Sequence, residues 1–323
     1  MSYDEHDNLD ALFVPHEYSK GVSEKIEYSN YSYWRSTFRA FGKNKVGMFA
    51  LFLAVAVILF AVLEQFFPNE AGKIAIEKGR KPFDYIFYIM DSTMWKKPPT
   101  ALHWFGTDGI GRDLWSRVWY STRISLSISF IVALIEIIVG FIVGAIWGYV
   151  RSVDKYMIEI YNAIMNIPQM ILFILMTYIL APGYWTIILS LSIVGWLSMA
   201  KYTRNLVFII RDREYNLASR CLGTPMHRMI TRNLLPHLLS VIMLRFSLLI
   251  VSVIAVEVTL TYLGVGLPPE IPSLGVLISE GRTQITFRPH LMTFPTIVVA
   301  LITISFYIVG NTLADASDPR NHV

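Results

Sequence analysis

The chain has 323 residues, of which 54% are hydrophobic and 16% charged, and its formal net charge is +4. Soluble domains carry about a quarter charged residues, so this composition excludes an ordinary soluble fold. The small positive balance, gathered between apolar runs, is a signal of loop orientation rather than of nucleic-acid binding. The single cysteine, Cys221, cannot close an internal disulfide, and no Cys/His cluster has zinc-site spacing.

The first 45 residues are polar, so no cleavable signal peptide is expected and the first apolar span is expected to serve as the targeting signal. The acidic start, with Asp4, Glu5, Asp7 and Asp10, is predicted to be disordered. Further on, Tyr31, Tyr33, Trp34, Phe38 and Phe41 alternate with Arg35, Arg39 and Lys43. This pattern predicts a short helix lying in the membrane interface, aromatics towards lipid and cations towards headgroups; the alternative is an aromatic-rich tail without structure.

A bilayer core about 30 Å thick needs about 20 apolar residues in helical form. Six segments meet that length: Val46–Phe67, Ile124–Val150, Ile158–Leu180, Trp185–Ala200, Leu238–Leu267 and Thr293–Leu313. The organisation is therefore an N-terminal segment with an interfacial helix (1–45), a first span (46–67), and a long loop (68–122) too charged for a seventh span. A core of five spans (123–313), with a basic loop at 201–237, and a short tail (314–323) complete it. The loop holds Lys201, Arg204, Arg211, Arg213, Arg220, Arg228 and Arg232 against Asp212 and Glu214 alone. Arg35, Arg39, Lys43 and Lys45 precede the first span. Both clusters place the loop and the two termini in the cytoplasm, and a loop as long as 68–122 crosses largely regardless of its charge.

Within the spans, Glu136 and Glu257 are candidates for a translocation path, because charge at membrane depth is costly and commonly functional; each could equally be a protonated or paired structural acid. Arg245 is expected to snorkel towards the cytoplasmic interface, and Glu64 to lie at the outer one. Gly140, Gly144 and Gly148 share one helix face and predict close packing against a neighbour. Pro168 is expected to kink the third span. The chain contains no GxxxxGK[ST], HExxH or GxSxG motif, so the energy for any work must come from an ion gradient or another subunit.

Between the fourth and fifth spans runs EYNLASRCLGTPMHRMITRNLLPH, Glu214–His237. It resembles the cytoplasmic "EAA" coupling loop of permease subunits from ATP-binding-cassette importers. Ala218, Gly223, Leu235 and Pro236 match that pattern, and Glu214-Tyr215 is similar to the Glu-Tyr that opens it in peptide permeases. Leu217, Ser219 and Asn233 depart from it, standing where the pattern has Glu, Ala and Ile. Gly223 permits a tight turn and the basic residues suit an acidic groove or, alternatively, anionic headgroups.

The run HWFGTDGIGRDLWSRVWYSTRISL (His103–Leu126) is similar to a segment of the dipeptide/oligopeptide permease subfamily through Gly106, Thr107, Asp108, Gly111, Arg112 and Asp113, and again through Arg123–Leu126, with Trp104-Phe105 in place of Pro-Leu. In TYLGVGLPPEIPSLGVLISEGR, Gly264, Gly266, Pro269, Pro272, Ser273 and Gly275 match a second segment, with Leu274 replacing Trp. The ending Leu313, Asp315, Asp318, Pro319 and Arg320 matches a third. The resemblance covers about residues 34–320 and is nearest the subfamily's "C"-type permease.

It implies an all-α polytopic membrane protein with six transmembrane helices and the type I importer (MetI-like) fold. It further implies a homologous "B"-type permease partner, two ABC ATPases and an extracytoplasmic peptide-binding (lipo)protein. ATP and Mg would be held by the ATPases, and no cofactor or metal by this chain. The implied function is passage of dipeptides or oligopeptides; alternatives are a nickel or nickel-chelate permease of the same subfamily, a proton-coupled secondary transporter using Glu136 or Glu257, and a non-transporting scaffold.

Overall fold

The computed structural model describes residues 33–67, 73 and 95–317. The acidic start, most of the 68–122 loop's first half, and the terminal Asp318–Arg320 lie outside the described residues. The elements are α1 (Tyr33–Lys43), α2 (Lys45–Leu63) with a 3-10 turn at Glu64–Phe66, α3 (Leu114–Tyr149), α4 (Arg151–Met165), α5 (Gln169–Leu180), α6 (Tyr184–Arg211), α7 (Glu214–Cys221), α8 (Leu235–Tyr262), α9 (Leu274–Arg282) and α10 (His290–Ser317). One helical turn (Met226–Arg228) and a π-helical segment (Met229–Leu234) lead into α8. Among the described residues there is no strand, only an isolated bridge between Thr107 and Asp113.

Five of these helices are long and apolar enough to cross a membrane, and α4 with α5 makes a sixth only as a pair bent by 79°. The third span is thus not the single helix expected over Ile158–Leu180. Pro168 has no N–H to donate and adopts extended backbone (ψ 121°), so α5 starts afresh behind it. The amphipathic α4 has no buried residue. Elsewhere the helices outrun the apolar windows. The α3 helix begins at Leu114 rather than Ile124, because Asp113 caps it by accepting the Ser116 N–H at 3.0 Å. The α6 helix continues past Ala200 to Arg211, so Lys201 and Arg204 stand on a helix and not in a loop.

The longest contact runs between α3 and α6. The three glycines of α3 face it. A Cβ on Gly140 would lie 2.9 Å from the Trp196 carbonyl oxygen, and one on Gly148 2.7 Å from that of Arg204. At Gly144 it would meet the Ala200 carbonyl and the Thr203 side chain. The glycine face is a packing seam, as its four-residue spacing predicts. A second contact seats α2 on α10, where Gly47 abuts Thr312, and Asn44 caps α2 by accepting the Val46 and Gly47 N–H groups at 3.0 Å each.

The α1 helix forms, with Arg39 and Lys43 exposed, but its aromatics do not share one lipid face. Phe41 is buried with Leu313 and Ala316 of α10, whereas Phe38 is 58% exposed. Apolar neighbours at the foot of α10 offer Phe41 a closer-packed site than the membrane interface.

Two polar clasps hold α9 against the bundle. In the first, the fully buried Glu257 of α8 accepts from Ser273 at 2.6 Å, Ser125 at 3.1 Å and Thr261 at 3.2 Å. The Ser125 hydroxyl in turn accepts the Leu274 N–H at 3.1 Å, and Ser273 caps α9 through the Val276 N–H at 3.2 Å. In the second, the buried Arg117 of α3 spans Asp108 (2.6 Å) and Glu280 (2.7 Å). Asp108 also accepts the backbone N–H groups of Ile110 and Arg112 at 3.0 and 2.9 Å and the Arg112 guanidinium at 2.5 Å.

Gly144→Leu forces a side chain into the Ala200 backbone and should destabilise the protein by about 1–3 kcal/mol or more. Its thermal midpoint in detergent should fall, while Gly42→Ala, with open space around it, should leave the midpoint unchanged. Glu257→Leu strands three buried hydroxyls and should cost about 1–3 kcal/mol. Glu257→Gln keeps an acceptor oxygen and should lower the midpoint less.

Candidate functional site

The segment resembling a coupling loop folds as a compact two-armed cassette at the basic end of the bundle. The first arm, α7, ends in a paired turn: the Gly223 N–H bonds the Arg220 carbonyl at 2.9 Å and the Thr224 N–H bonds that of Ser219 at 3.1 Å. This closure requires a left-handed residue, and Gly223 supplies it at φ +77°. Nothing lies within 4 Å of where its Cβ would be, so the backbone angle and not a close approach demands glycine.

The second arm widens into the π-helical segment just before Leu235-Pro236. Pro236 cannot donate to the carbonyl one turn back, and the enlarged turn absorbs that loss. Glu214, Tyr215, Ala218 and Gly223 lie on the exposed surface of the cassette, while Leu235 is half-buried and Pro236 exposed where α8 starts. At the tip Leu222 is 87% exposed.

The two arms are tied by residues that the sequence offered only as departures from the pattern. Asn233 donates to Asn216 Oδ1 at 3.2 Å and to Ser219 Oγ at 3.4 Å, and the buried Asn216 donates to the Ile210 carbonyl at 2.9 Å. Ser219 and Asn233 therefore compensate each other across the cassette. These two polar departures, fourteen residues apart in an otherwise patterned loop, were the available signal.

At the base, Arg211 is buried and donates to the Gly148 carbonyl at 2.7 Å, near the C-terminus of α3, where a cation is favoured. Asp212 meets Arg211 and Arg220 at 3.1 Å each and Arg151 at 3.6 Å. What burial it has pushes the Asp212 carboxyl up, but the arginines outweigh this and hold it below its ordinary range. Arg204 grips Asp154 in bidentate fashion at 2.9 and 2.7 Å, with the Trp147 indole on the same carboxylate at 2.7 Å. The Arg211–Gly148 and Arg204–Asp154 ties are not legible from spacing, because each joins residues distant in sequence.

The structure separates the two intramembrane acids. Glu257 is enclosed in its hydroxyl clasp. Glu136 lines a cavity of about 310 Å³ between α3, α5, α6 and α8, together with Gln169, Ser198, Ser252 and Arg245. The Arg245 guanidinium lies 3.8 Å over the Tyr202 ring, and stacking holds it beside the cavity. Glu64, at the end of the first span, is buried in the protein and faces Arg123 at 3.9 Å.

At the other end of the bundle, the His103–Asp113 stretch is a scaffold. Gly106 and Gly111 take φ +81° and +88°. Asp113 holds the His103 ring at 2.7 Å while capping α3, and Asp108 feeds the Arg117 clasp.

Residues 136–323 match the family described as binding-protein-dependent transport system inner membrane component, and residues 32–99 match the N-terminal transmembrane domain of oligopeptide transport permease C. The chain is 38% identical to the oligopeptide transport system permease protein AmiD of Streptococcus pneumoniae, across 93% of this chain and 94% of that protein. It is 31% identical to OppC of Bacillus subtilis, an oligopeptide transport system permease protein, across 96% and 97% of the two chains. Identity to the dipeptide transport system permease protein DppC of the same organism is also 31%, across 96% and 93%. The all-helical, multi-span fold agrees with these matches, and the chain belongs to the family of inner membrane components of binding-protein-dependent transport systems.

Proposed function

We propose that this chain is one of a pair of permease subunits in an ATP-driven importer of dipeptides or oligopeptides. The observation that carries the reading is the exposed cassette: a rigid two-armed projection, tied to the ends of α3, α6 and α8 and presenting Leu222 at its tip. Such a projection suits a groove on a partner that moves. Two ATPase subunits would each seat one permease's cassette, and a "B"-type permease would complete the path. An extracytoplasmic binding protein would deliver the peptide. ATP and Mg belong to the ATPases; this chain, without a phosphate-binding loop in its sequence, binds neither and hydrolyses nothing.

The basic end, with the cassette and both termini, faces the cytoplasm in this reading, in keeping with its excess of Lys and Arg. When the ATPases close on ATP, the cassettes approach one another and the paired permeases open outward. The shift is driven by the difference in ATP affinity between the two states. Relatives named for dipeptides and oligopeptides favour peptide over nickel. The enclosure of Glu257 by three hydroxyls argues against its use as a proton carrier.

Leu222→Asp should leave insertion and thermal stability unchanged, because the side chain touches little of its own chain. Loss of an interface anchor costs about 2 kcal/mol or more, so ATPase retained on purification should fall about thirtyfold. Wild-type retention in this variant would remove the cassette from the docking surface. Orientation is checked with impermeant maleimide on intact cells. Cys221 should label only after the membrane is opened, whereas a cysteine at the 82% exposed Phe287, in a Cys221→Ser background, should label from outside.

A further inference from the structure

We infer that the cavity walled by Glu136 and Arg245 is a transit site for the two charged termini of an unblocked peptide, Glu136 receiving the α-ammonium and Arg245 the α-carboxylate. The inference rests on the transport reading above and adds to it the part of the peptide that the permease itself recognises.

Other charges inside the bundle have partners. Glu257 has three hydroxyl donors, Arg117 two carboxylates, Arg211 a carbonyl and a carboxylate, and Glu64 faces Arg123. Glu136 and Arg245 are different. Glu136 is 5% exposed, and among the described residues its carboxyl has no hydrogen bond or ion pair. Arg245 has the Tyr202 ring on one face and no carboxylate within salt-bridge distance. Both line the same cavity, yet they do not pair with each other. A buried carboxyl left without a partner is expensive, and Glu136 together with the half-buried Arg245 on the same cavity defines a ligand of complementary charge.

The surroundings fit that ligand. The Glu136 carboxyl lies over Gly195 of α6, in space that any side chain at 195 would take. Tyr202 fixes the guanidinium plane while leaving its N–H edge available for a carboxylate, which Arg binds in bidentate fashion. The rest of the lining is mostly apolar, from Phe173, Leu191, Leu249 and Val253 among others, with Gln169 and the Ser198 and Ser252 hydroxyls as its uncharged polar groups. Such a wall reads no particular side chain. About 310 Å³ is the low end for a ligand site, enough for the ends of a short peptide in passage and too little to hold a long one whole. Recognition of termini common to every unblocked peptide, with little else, suits a path that must bind and release many sequences.

The test uses the full complex of both permeases, ATPases and binding protein in proteoliposomes. ATP-dependent uptake is measured for one tripeptide in three forms: free, N-acetylated and C-amidated. Because the same binding protein serves every variant, its own preferences cancel when free-to-capped ratios are compared between permeases. Relative to wild type, Glu136→Gln should reduce the free-to-acetylated ratio about tenfold and leave the free-to-amidated ratio alone; Arg245→Gln should do the converse. Stimulation of ATP hydrolysis by the loaded binding protein should persist in both. If Glu136→Gln fails to assemble, Glu136→Asp, which draws the carboxyl back by one methylene, should lower the free-to-acetylated ratio. Assembled variants that transport with both ratios unchanged overturn the site and leave the transport reading standing. A wild-type complex that takes up none of the three peptides overturns the transport reading and the site with it.

Discussion

A charge carried to membrane depth has no water to turn to, and the partners built around Glu257 and Arg117 shape this protein. The Glu257 clasp joins α3, α8 and the start of α9 through three hydroxyls and one backbone N–H. The Arg117 clasp joins the loop before α3, α3 itself and the far end of α9. Hence α9, only nine residues long, is held at its start by the buried Glu257 clasp and near its end by the ion pair of Glu280 with the buried Arg117, not by apolar area alone. Half-satisfied networks of this kind would be worse than an apolar core, which is why their members come as sets.

Backbone satisfaction is the companion constraint. In lipid, helices must close their own hydrogen bonds, and breaks are tolerated only where protein or solvent can meet the freed groups. The bend between α4 and α5 and the π-helical entry to α8 both fall beside prolines, Pro168 and Pro236. The glycine seam of α3 is the converse: an unbroken helix whose missing side chains let α6 approach to backbone contact. Close approach gives dispersion and weak polar contacts, the attractions left when apolar burial no longer distinguishes protein from lipid.

Much of this was legible in the sequence for physical reasons. Apolar length over about 20 residues finds spans, and five of the predicted six are single helices. The four-residue glycine spacing placed the seam, and the turn at Gly223 follows from what only glycine does at low cost. What escaped notice depends on contacts between distant segments. Apolar counting could not extend α3 back to Leu114, because its first turns are polar and capped by Asp113. Nor could it show that Phe41 turns into the protein, that Arg245 stacks on Tyr202, or that Glu64 is buried. The ties Asn216–Asn233, Arg211–Gly148 and Arg117–Glu280 leave no periodic trace. Each needs a partner far along the chain, a side chain for Asn216 and Arg117 and the Gly148 backbone carbonyl for Arg211, and one sequence shows only the unexplained polar half.

These same ties determine how force at the cassette reaches the cavity. Asn216 fixes the first arm to the last turn of α6 through Ile210, and Arg211 fixes that turn to the end of α3. The seam then makes α3 and α6 one body, and this body carries both Glu136 and its seat at Gly195. The second arm runs without a break into α8, which carries Arg245. Asn233 links the two arms. A push on the cassette is therefore delivered to both charged walls of the cavity, to one through hydrogen bonds and to the other through the continuous chain. The π-helical segment is the compliant part of the second route, since its wide turns are less tightly bonded than α-helix. If the cassette is driven as proposed above, unequal stiffness along the two routes would convert its single displacement into relative movement of Glu136 and Arg245.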